Sequence, residues 1–202
     1  DPSVNPSVVI NEILTNSAPP LKDTIELFNP TNASVNVGYW WLTDDPNTPK
    51  KYQIPANTVI PAGGYAVFDE TQFNPTPGVG TSFALNSAGD DVYLFSGDSG
   101  GNLTGYSHGF AFSGAEQNVS FGRIVTSAGD EYFPRQISRT FGAQNSGPLV
   151  GPLVINEVMY NPITGYDEFV EIRNISNATV PLYDPANPTN TWKVGGIGYT
   201  FA

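Results

Sequence analysis

Short apolar runs, each bounded by turn-forming residues, follow one another along this chain. Within residues 24–28, Ile25 and Leu27 share one face and Glu26 takes the other, which is the two-residue period of a half-buried strand. No window keeps apolar residues at helical spacing for three turns, so we expect no long helix. Strands are predicted at residues 8–14, 24–28, 35–37, 39–42, 52–54, 58–60, 65–68, 83–85, 92–95 and 103–106.

Many short strands separated by turns predict an all-β sandwich or barrel, and the sandwich is favoured. Residues 58–60 and 65–68 are predicted to form a hairpin across Pro61–Gly64. Residues 92–95 and 103–106 are predicted to pair across the turn that joins them.

A repeat divides the chain. Residues 9–37 recur at 154–182 without a gap, with ten of the 29 positions identical and eight more closely similar. Val9–Glu12 recurs as Val154–Glu157. Chance would give about two identities, so the repeat indicates a duplicated structural unit.

We therefore expect a linker at residues 1–7, a complete domain at 8–148, and the amino-terminal part of a second copy at 149–202. The partial copy has an apolar face but lacks strands that the first copy supplies. Exposed strand edges pair readily with other chains. Residues 153–202 are predicted to dock on a neighbouring molecule, to form a homodimer, or to pack on the first domain.

The composition narrows the range of partners. The net charge of −11 repels nucleic acid and anionic lipid, since both are bound through Lys and Arg. There is no 18-residue apolar stretch, so no membrane insertion is expected. The chain has no cysteine, which excludes disulfides and cysteine-based metal or redox chemistry.

Six short motifs in a fixed order carry a family resemblance. They are Val9–Ile13, Ile25–Asn29, Trp41–Asp45, Ile60–Tyr65, Leu85–Leu94 and Arg139–Asn145. In this order they resemble the lamin tail domain, although Phe141 stands where that family usually has proline. The resemblance runs over about residues 8–146 and resumes at 153–202.

The resemblance implies an immunoglobulin-like β-sandwich, found in nuclear lamins and in exported bacterial proteins. In the bacterial proteins this domain accompanies catalytic or adhesive partners, and the family has no established catalytic residues. No coiled-coil heptads precede the domain here and the chain is acidic. We therefore expect a bacterial protein, secreted or at the cell surface, rather than a lamin.

The string Gly97–Gly101 matches the sequence around the nucleophile of serine hydrolases. Those enzymes need a histidine that takes the serine proton and an acid that orients the histidine. The single histidine, His108, lies nine residues after Ser99 with no acid between them, which fits neither hydrolase order. A β-hairpin turn explains the string better, and no catalytic residue is assigned.

Repeated carboxylates are the next candidates for chemistry. Two acids on adjacent strands could form an acid–base pair or bind a cation. Alternatively, they pair with Arg or Lys or accept backbone N–H groups at strand ends. Their presence in both copies favours a structural role. Structural roles are predicted for Asn11, Glu12, Glu26, Trp41, Asn156, Glu157, Glu171 and Trp192.

Acid pairs in predicted loops offer a weak calcium site, for which Asp90 and Asp91 are the candidates. The alternative is that these loops are simply solvated. No EF-hand pattern is present. No cofactor other than calcium is expected.

Aromatic residues could stack on sugar rings if they were exposed. Strand alternation places one of Trp40 and Trp41 inside and the other outside. Because Trp192 aligns best with Trp41, Trp41 is predicted to be buried and Trp40 to contact a ligand, together with Asp44 and Asp45.

Together these observations predict a non-catalytic extracellular module for adhesion, spacing or partner binding in a larger exported bacterial protein. Its partner would be a protein or glycan at the cell surface. The alternative is a carbohydrate-binding accessory domain of a secreted hydrolase.

Overall fold

The computed structural model describes residues 7–201. The chain forms two compact units, which divide between Leu149 and Val150. The predicted linker at residues 1–7 lies outside the described residues except for Ser7. No described helix is long and apolar enough to cross a membrane.

The first unit is built from short strands and a single-turn helix. Its described strands are β1 (Val9–Leu14), β2 (Thr24–Phe28), β3 (Val35–Asn36), β4 (Trp41–Thr43), β5 (Tyr52–Gln53), β6 (Val59–Ile60), β7 (Tyr65–Asp69), β8 (Gly89–Gly97), β9 (Leu103–Ser113), β10 (Ser120–Gly122), β11 (Ile124–Val125) and β12 (Glu131–Tyr132). Helix α1 spans Glu70–Phe73.

Eight of these strands form two antiparallel four-stranded sheets. The first sheet has the order β10-β1-β2-β7 and the second has the order β5-β4-β8-β9. Their inner faces share one hydrophobic core, in which Ile13, Ile25, Leu42 and Leu94 are all 0% exposed. The prediction of an all-β sandwich is confirmed.

The segment Pro61–Gly64 is a corner between sheets rather than a hairpin turn. Strand β6 before it pairs with β3, whereas β7 after it pairs with β2. The predicted hairpin is therefore wrong. The side-chain Nδ2 of Asn29 holds the corner, since it donates to the carbonyl groups of Ile60 and Pro61, both at 3.0 Å.

Residues 83–85 follow an irregular path, so the strand predicted there is also wrong. Phe83 and Leu85 are each 4% exposed, and the ring of Phe83 stacks on Phe73 at a centroid distance of 4.9 Å. The apolar pattern at these positions therefore reflects burial in the core and not β pairing.

The second unit consists of three antiparallel strand pairs. They join β13 (Leu153–Met159) to β14 (Phe169–Asn174), β15 (Tyr183–Asp184) to β16 (Asn187–Thr191), and β17 (Lys193–Val194) to β18 (Tyr199–Thr200). The β13–β14 pair has the same register as β1–β2. The pair Glu12–Glu26 corresponds to Glu157–Glu171, and in both units the register shifts just before the first of these acids.

Candidate functional site

A β-bulge in β1 creates a cluster of buried polar side chains. The pairing of β1 with β2 shifts between Ile10 and Glu12, so Asn11 is the extra residue. Ile10 and Ile13 both lie in the core as a result, although they are three positions apart. Regular alternation would have placed Glu12 on the same face as Ile10. The bulge instead turns both Asn11 and Glu12 away from the core.

Glu12 joins three parts of the first unit. Its side chain is 0% exposed, and its Oε1 accepts a hydrogen bond from Ser120 Oγ at 2.6 Å. Its Oε2 accepts hydrogen bonds from the backbone N–H of Thr140 at 3.0 Å and from Thr140 Oγ1 at 2.9 Å. Thr140 belongs to residues 134–147, which we call the closing segment. Glu12 therefore ties β10 and the closing segment to β1.

Glu26 is the cross-strand partner of Glu12 and is also 0% exposed. Its Oε1 accepts a hydrogen bond from Asn11 Nδ2 at 2.7 Å, and its Oε2 accepts one from the backbone N–H of Gly142. Burial raises the pKa of Glu26 to about 7, and the charge of Glu12 adds to the rise while the two hydrogen bonds oppose it. Glu26 therefore changes its protonation near neutral pH.

Asn145 holds the carboxyl-terminal end of the closing segment in place through hydrogen bonds. Its Nδ2 donates to the carbonyl groups of Asn11 at 3.2 Å and Arg123 at 2.9 Å, and its Oδ1 accepts from Asn11 Nδ2 at 3.0 Å. Together with the contacts of Thr140 and Gly142, these bonds hold the closing segment against the outer face of the first sheet.

Neutral donors, and not cations, satisfy the paired carboxylates. Within residues 7–201, no Lys or Arg forms an ion pair with Glu12 or Glu26. The predicted acceptance of backbone N–H groups is confirmed, but the donors belong to the closing segment and not to strand ends. Both side chains are 0% exposed and are bonded to the closing segment. The arrangement is a structural clasp.

The second unit repeats one hydrogen bond of the clasp, but there the side chains are exposed. Asn156 Nδ2 donates to Glu171 Oε1, just as Asn11 donates to Glu26. Both Glu157 and Glu171 are exposed, as is Asn156.

A second polar cluster joins His108 to Arg123 and Glu131. His108 Nδ1 accepts the backbone N–H of Ile10 at 3.1 Å, so the ring proton is on Nε2, which lies 3.0 Å from Glu131 Oε2. Arg123 Nε donates to Glu131 Oε1 at 2.8 Å. Burial lowers the pKa of His108, although Glu131 opposes this effect. Sequence spacing gave no signal for this cluster, because its members lie on three separate segments.

The string Gly97–Gly101 runs from the last residue of β8 into the turn that leads to β9, so the hairpin prediction is confirmed. Asp98 Oδ1 accepts the backbone N–H groups of Gly100 and Asn102, both at 2.9 Å. His108 is held by Ile10 and Glu131, and no hydrogen bond links it to Ser99 in the described part of the chain.

The positions of the two adjacent tryptophans are the reverse of those predicted. Trp40 is 5% exposed and lies in the core, whereas Trp41 is partly exposed at the start of β4. Tyr39 adopts a φ of 69° in the preceding turn, after which Trp40 and Leu42 share the inner face. The prediction of Trp40 as an exposed ligand contact is wrong.

The position of Trp192 explains this error. The backbone N–H of Phe201 donates to the carbonyl of Trp192 at 3.1 Å, in the same way that Ile54 donates to Trp40 at 2.7 Å. Trp192 therefore corresponds to Trp40 and not to Trp41. Unlike Trp40, it is 43% exposed.

Asp44 and Asp45 bond within their own loop. Asp44 forms an ion pair with Lys51, and Asp45 Oδ1 accepts the backbone N–H of Asn47 at 2.8 Å, which lowers the pKa of Asp45. Because the Trp40 ring is buried, it cannot serve as the exposed ring that was predicted to bind a ligand together with these acids. Their role in ligand binding stays a prediction.

Asp90 likewise bonds to nearby backbone. Its Oδ2 accepts the N–H of Asn86 at 3.0 Å and its Oδ1 accepts the N–H of Asp91 at 2.9 Å. Among residues 7–201, no three His, Asp or Glu side chains are grouped so that they could hold a metal ion. Calcium binding at Asp90 and Asp91 stays a prediction.

Comparison with known proteins gives one match. The family model described as Lamin Tail Domain matches residues 1–109. No curated protein and no solved structure matches the chain.

Proposed function

The chain belongs to the lamin tail domain family, and from this membership we propose that it is a non-catalytic module of an exported bacterial protein that serves adhesion, spacing or partner binding. We place it outside the cell, either secreted or at the cell surface, with a protein or glycan as its partner. The net charge of −11 supports a partner other than nucleic acid or anionic lipid.

The clasp at Glu12 and Glu26 carries the proposal. A catalytic acid or base must come within hydrogen-bond reach of its substrate. Both side chains are 0% exposed and already bind Thr140 and Gly142. Carboxylates in this state hold the fold together, and function falls to the surfaces of the sheets and loops.

We further propose that residues 149–202 are the amino-terminal part of a second copy of the domain. The matching registers of β1–β2 and β13–β14 support this, as does the position of the bulge in both pairs. A duplicated scaffold suits spacing and multivalent binding, because each added module extends the surface without new chemistry.

Two measurements test the proposal. The purified chain is incubated with ester, phosphodiester, glycoside and peptide substrates, and we expect no turnover that depends on its own residues. A turnover that disappears in Ser99→Ala or His108→Gln would overturn the non-catalytic assignment. An antibody against the chain should also label intact source cells, and labelling only after permeabilisation would contradict the extracellular location.

Carbohydrate binding is the second candidate, at a site other than Trp40. Phe28 and Tyr65 stack at a centroid distance of 5.0 Å beside a groove of about 560 Å³ that Arg123 and Asn145 also line. Partly exposed aromatic rings beside polar side chains are suited to sugars. We expect Tyr65→Ala to abolish retention on polysaccharide affinity gels, whereas the control Val67→Ala, which lies in the same strand, retains it. Equal mobility of wild type and Tyr65→Ala would remove this candidate.

A further inference from the structure

One end of the first sheet carries a row of polar side chains on its inner face. The neighbouring row of the core contains one apolar residue from each of β1, β2 and β7, which are cross-strand partners: Ile13, Ile25 and Phe68. Side chains of a strand return to the same face every second residue. Two residues further toward this end of the sheet, the inward positions of the three segments are Thr15, Asp23 and Glu70.

The backbone stays paired at this polar row. The N–H of Glu70 donates to the carbonyl of Asp23 at 2.8 Å, which continues the register of β2 and β7. The N–H of Asn118 donates to the carbonyl of Asn16 at 2.8 Å, which continues the register of β1 and β10. Thr15 therefore lies within the paired part of its strand. It keeps the alternation of β1 and points inward, where it is 2% exposed.

The hydroxyl group of Thr15 lacks a partner in this row. Among residues 7–201, its buried Oγ1 forms no hydrogen bond. The position opposite Thr15 in the continued register of β1 and β2 is Asp23, which is 8% exposed. A buried hydroxyl group without a partner costs free energy, so this oxygen favours a bound ligand beside the carboxylate.

No basic side chain within residues 7–201 forms an ion pair with Asp23 or Glu70. Neutral donors hold them instead: Ser17 Oγ donates to Asp23 Oδ1 at 2.7 Å, and Asn74 Nδ2 donates to Glu70 Oε1 at 2.9 Å. Burial raises the pKa of Asp23, its bonds with Ser17 oppose the rise, and the charge of Glu70 adds to it. An ionised carboxylate has about four lone-pair sites, so both groups can still coordinate a cation.

We propose that Asp23, Glu70 and the hydroxyl group of Thr15 bind a calcium ion at this end of the sandwich. The ion would neutralise two adjacent negative charges and use a lone pair of the unpartnered hydroxyl oxygen. Calcium takes about six to eight oxygen ligands, which include carboxylates, neutral oxygens and water, so two carboxylates suffice for a weak site. With only two charged ligands, we expect a dissociation constant of about 10⁻⁴ to 10⁻³ M.

A calcium titration of the full chain, followed by NMR of the backbone amides, tests the proposal. We expect saturable shifts centred on Thr15, Asp23 and Glu70. Asp23→Asn and Glu70→Gln should each weaken binding about tenfold or more, because each removes one of the two charged ligands. Thr15→Val should weaken binding by a smaller factor, since it removes a neutral ligand. The control Asp130→Asn changes an exposed acid between β11 and β12 and should bind calcium as the wild type does.

Three outcomes would overturn the proposal. The first is no saturable shift at these amides up to about 10 mM calcium, which is ten times the weakest expected dissociation constant. The second is a response centred on Asp90 and Asp91, which would place binding in that loop instead. The third is unchanged affinity in Thr15→Val, which would mean that the hydroxyl group does not meet the ion. Amide signals from the rest of the first unit show whether each variant is folded, so a loss of binding is not mistaken for unfolding.

Discussion

Glu12 and Glu26 are cross-strand partners, and their buried carboxylates hold the closing segment at two points, Thr140 and Gly142. The two bonded pairs are 128 and 116 residues apart in sequence. Most of the first unit therefore lies between the ends of these contacts. Because these hydrogen bonds join the beginning of the first unit to its end, their strength should control the stability of the whole unit.

Glu26 should make this stability depend on pH. Its pKa is about 7 in the folded chain against 4.5 ordinarily, so the folded state binds more protons between these values. The free energy of unfolding should therefore fall by about 2–3 kcal/mol as the pH rises from 4.5 to 7, and the loss from this group is complete about one pH unit above 7. Denaturant titrations of wild type and Glu26→Gln at several pH values measure the difference. Parallel profiles for the two proteins would contradict the prediction.

Thr140→Val should weaken the clasp without changing its shape. The substitution removes the hydroxyl bond to Glu12 Oε2 and keeps the backbone N–H bond. Hydrogen bonds to charged groups contribute about 1.5–3 kcal/mol, and we expect a loss of that size in the free energy of unfolding. Fluorescence of Trp40 and Trp41 in a Trp192→Phe background reports on the first unit. The exposed control Thr81→Val should change stability by less than about 0.5 kcal/mol, and an equal effect would sink the prediction.

His108 should have the opposite effect to Glu26, because it lowers the stability of the folded chain as the pH falls. Protonation would place a hydrogen on Nδ1, which now accepts the backbone N–H of Ile10. Because the folded pKa lies below 6.5, the unfolded state binds more protons, and stability should be lost as the pH falls through 6.5 toward the folded pKa. Glu131 and Arg123 are the charged groups beside the His108 ring, and their charges determine how much stability is lost. Nitrogen NMR of the imidazole should show the neutral form with the proton on Nε2 at pH 7, and a charged ring there would contradict the assignment.

Trp40 and Trp41 should respond differently to substitution. Trp40 packs in the core against Tyr106, so Trp40→Ala should cost about 3–5 kcal/mol of unfolding free energy. Among the described residues, the buried Nε1 of Trp41 has no hydrogen-bond partner. Trp41→Phe removes this unsatisfied donor and should cost less than about 1 kcal/mol or stabilise the chain. Chemical denaturation of the two variants checks the contrast, and a reversed order of stability would contradict it.

Local patterns predicted the strands well, but they did not predict the contacts between them. The alternation in β2 and the repeated segment indicated the two strands β1 and β2 correctly, but not that they pair. The bulge at Asn11 has no local sequence signal, and it decides which face Glu12 takes. The left-handed conformation of Tyr39 similarly decided which tryptophan is buried. The partners of Glu12 and Glu26 could not be predicted, because the closing segment has no periodicity and lies far away in sequence.

The equivalent residues Asn29 and Asn174 offer a test of burial at constant local geometry. Each Oδ1 accepts the backbone N–H two residues later, and each Nδ2 donates to the carbonyl four residues later. Asn29 is 0% exposed and also satisfies the carbonyl of Ile60, whereas Asn174 is exposed. Asn29→Ala should therefore lower the free energy of unfolding by about 1–3 kcal/mol, because it removes a hydrogen-bond donor from the buried carbonyl of Ile60 at the corner.

Asn174→Ala is the matched control. It removes the same turn bonds where water can replace them, so we expect a change within about 0.5 kcal/mol. Denaturant titrations followed by hydrogen exchange, which separates the two units, measure both effects. A large loss in both variants would show that the turn bonds themselves stabilise the chain, whereas a loss in neither would mean that the corner at Ile60 does not depend on Asn29. If only Asn29→Ala lowers the free energy of unfolding, the same turn motif stabilises the chain where it is buried in the sandwich and not where it is exposed to water.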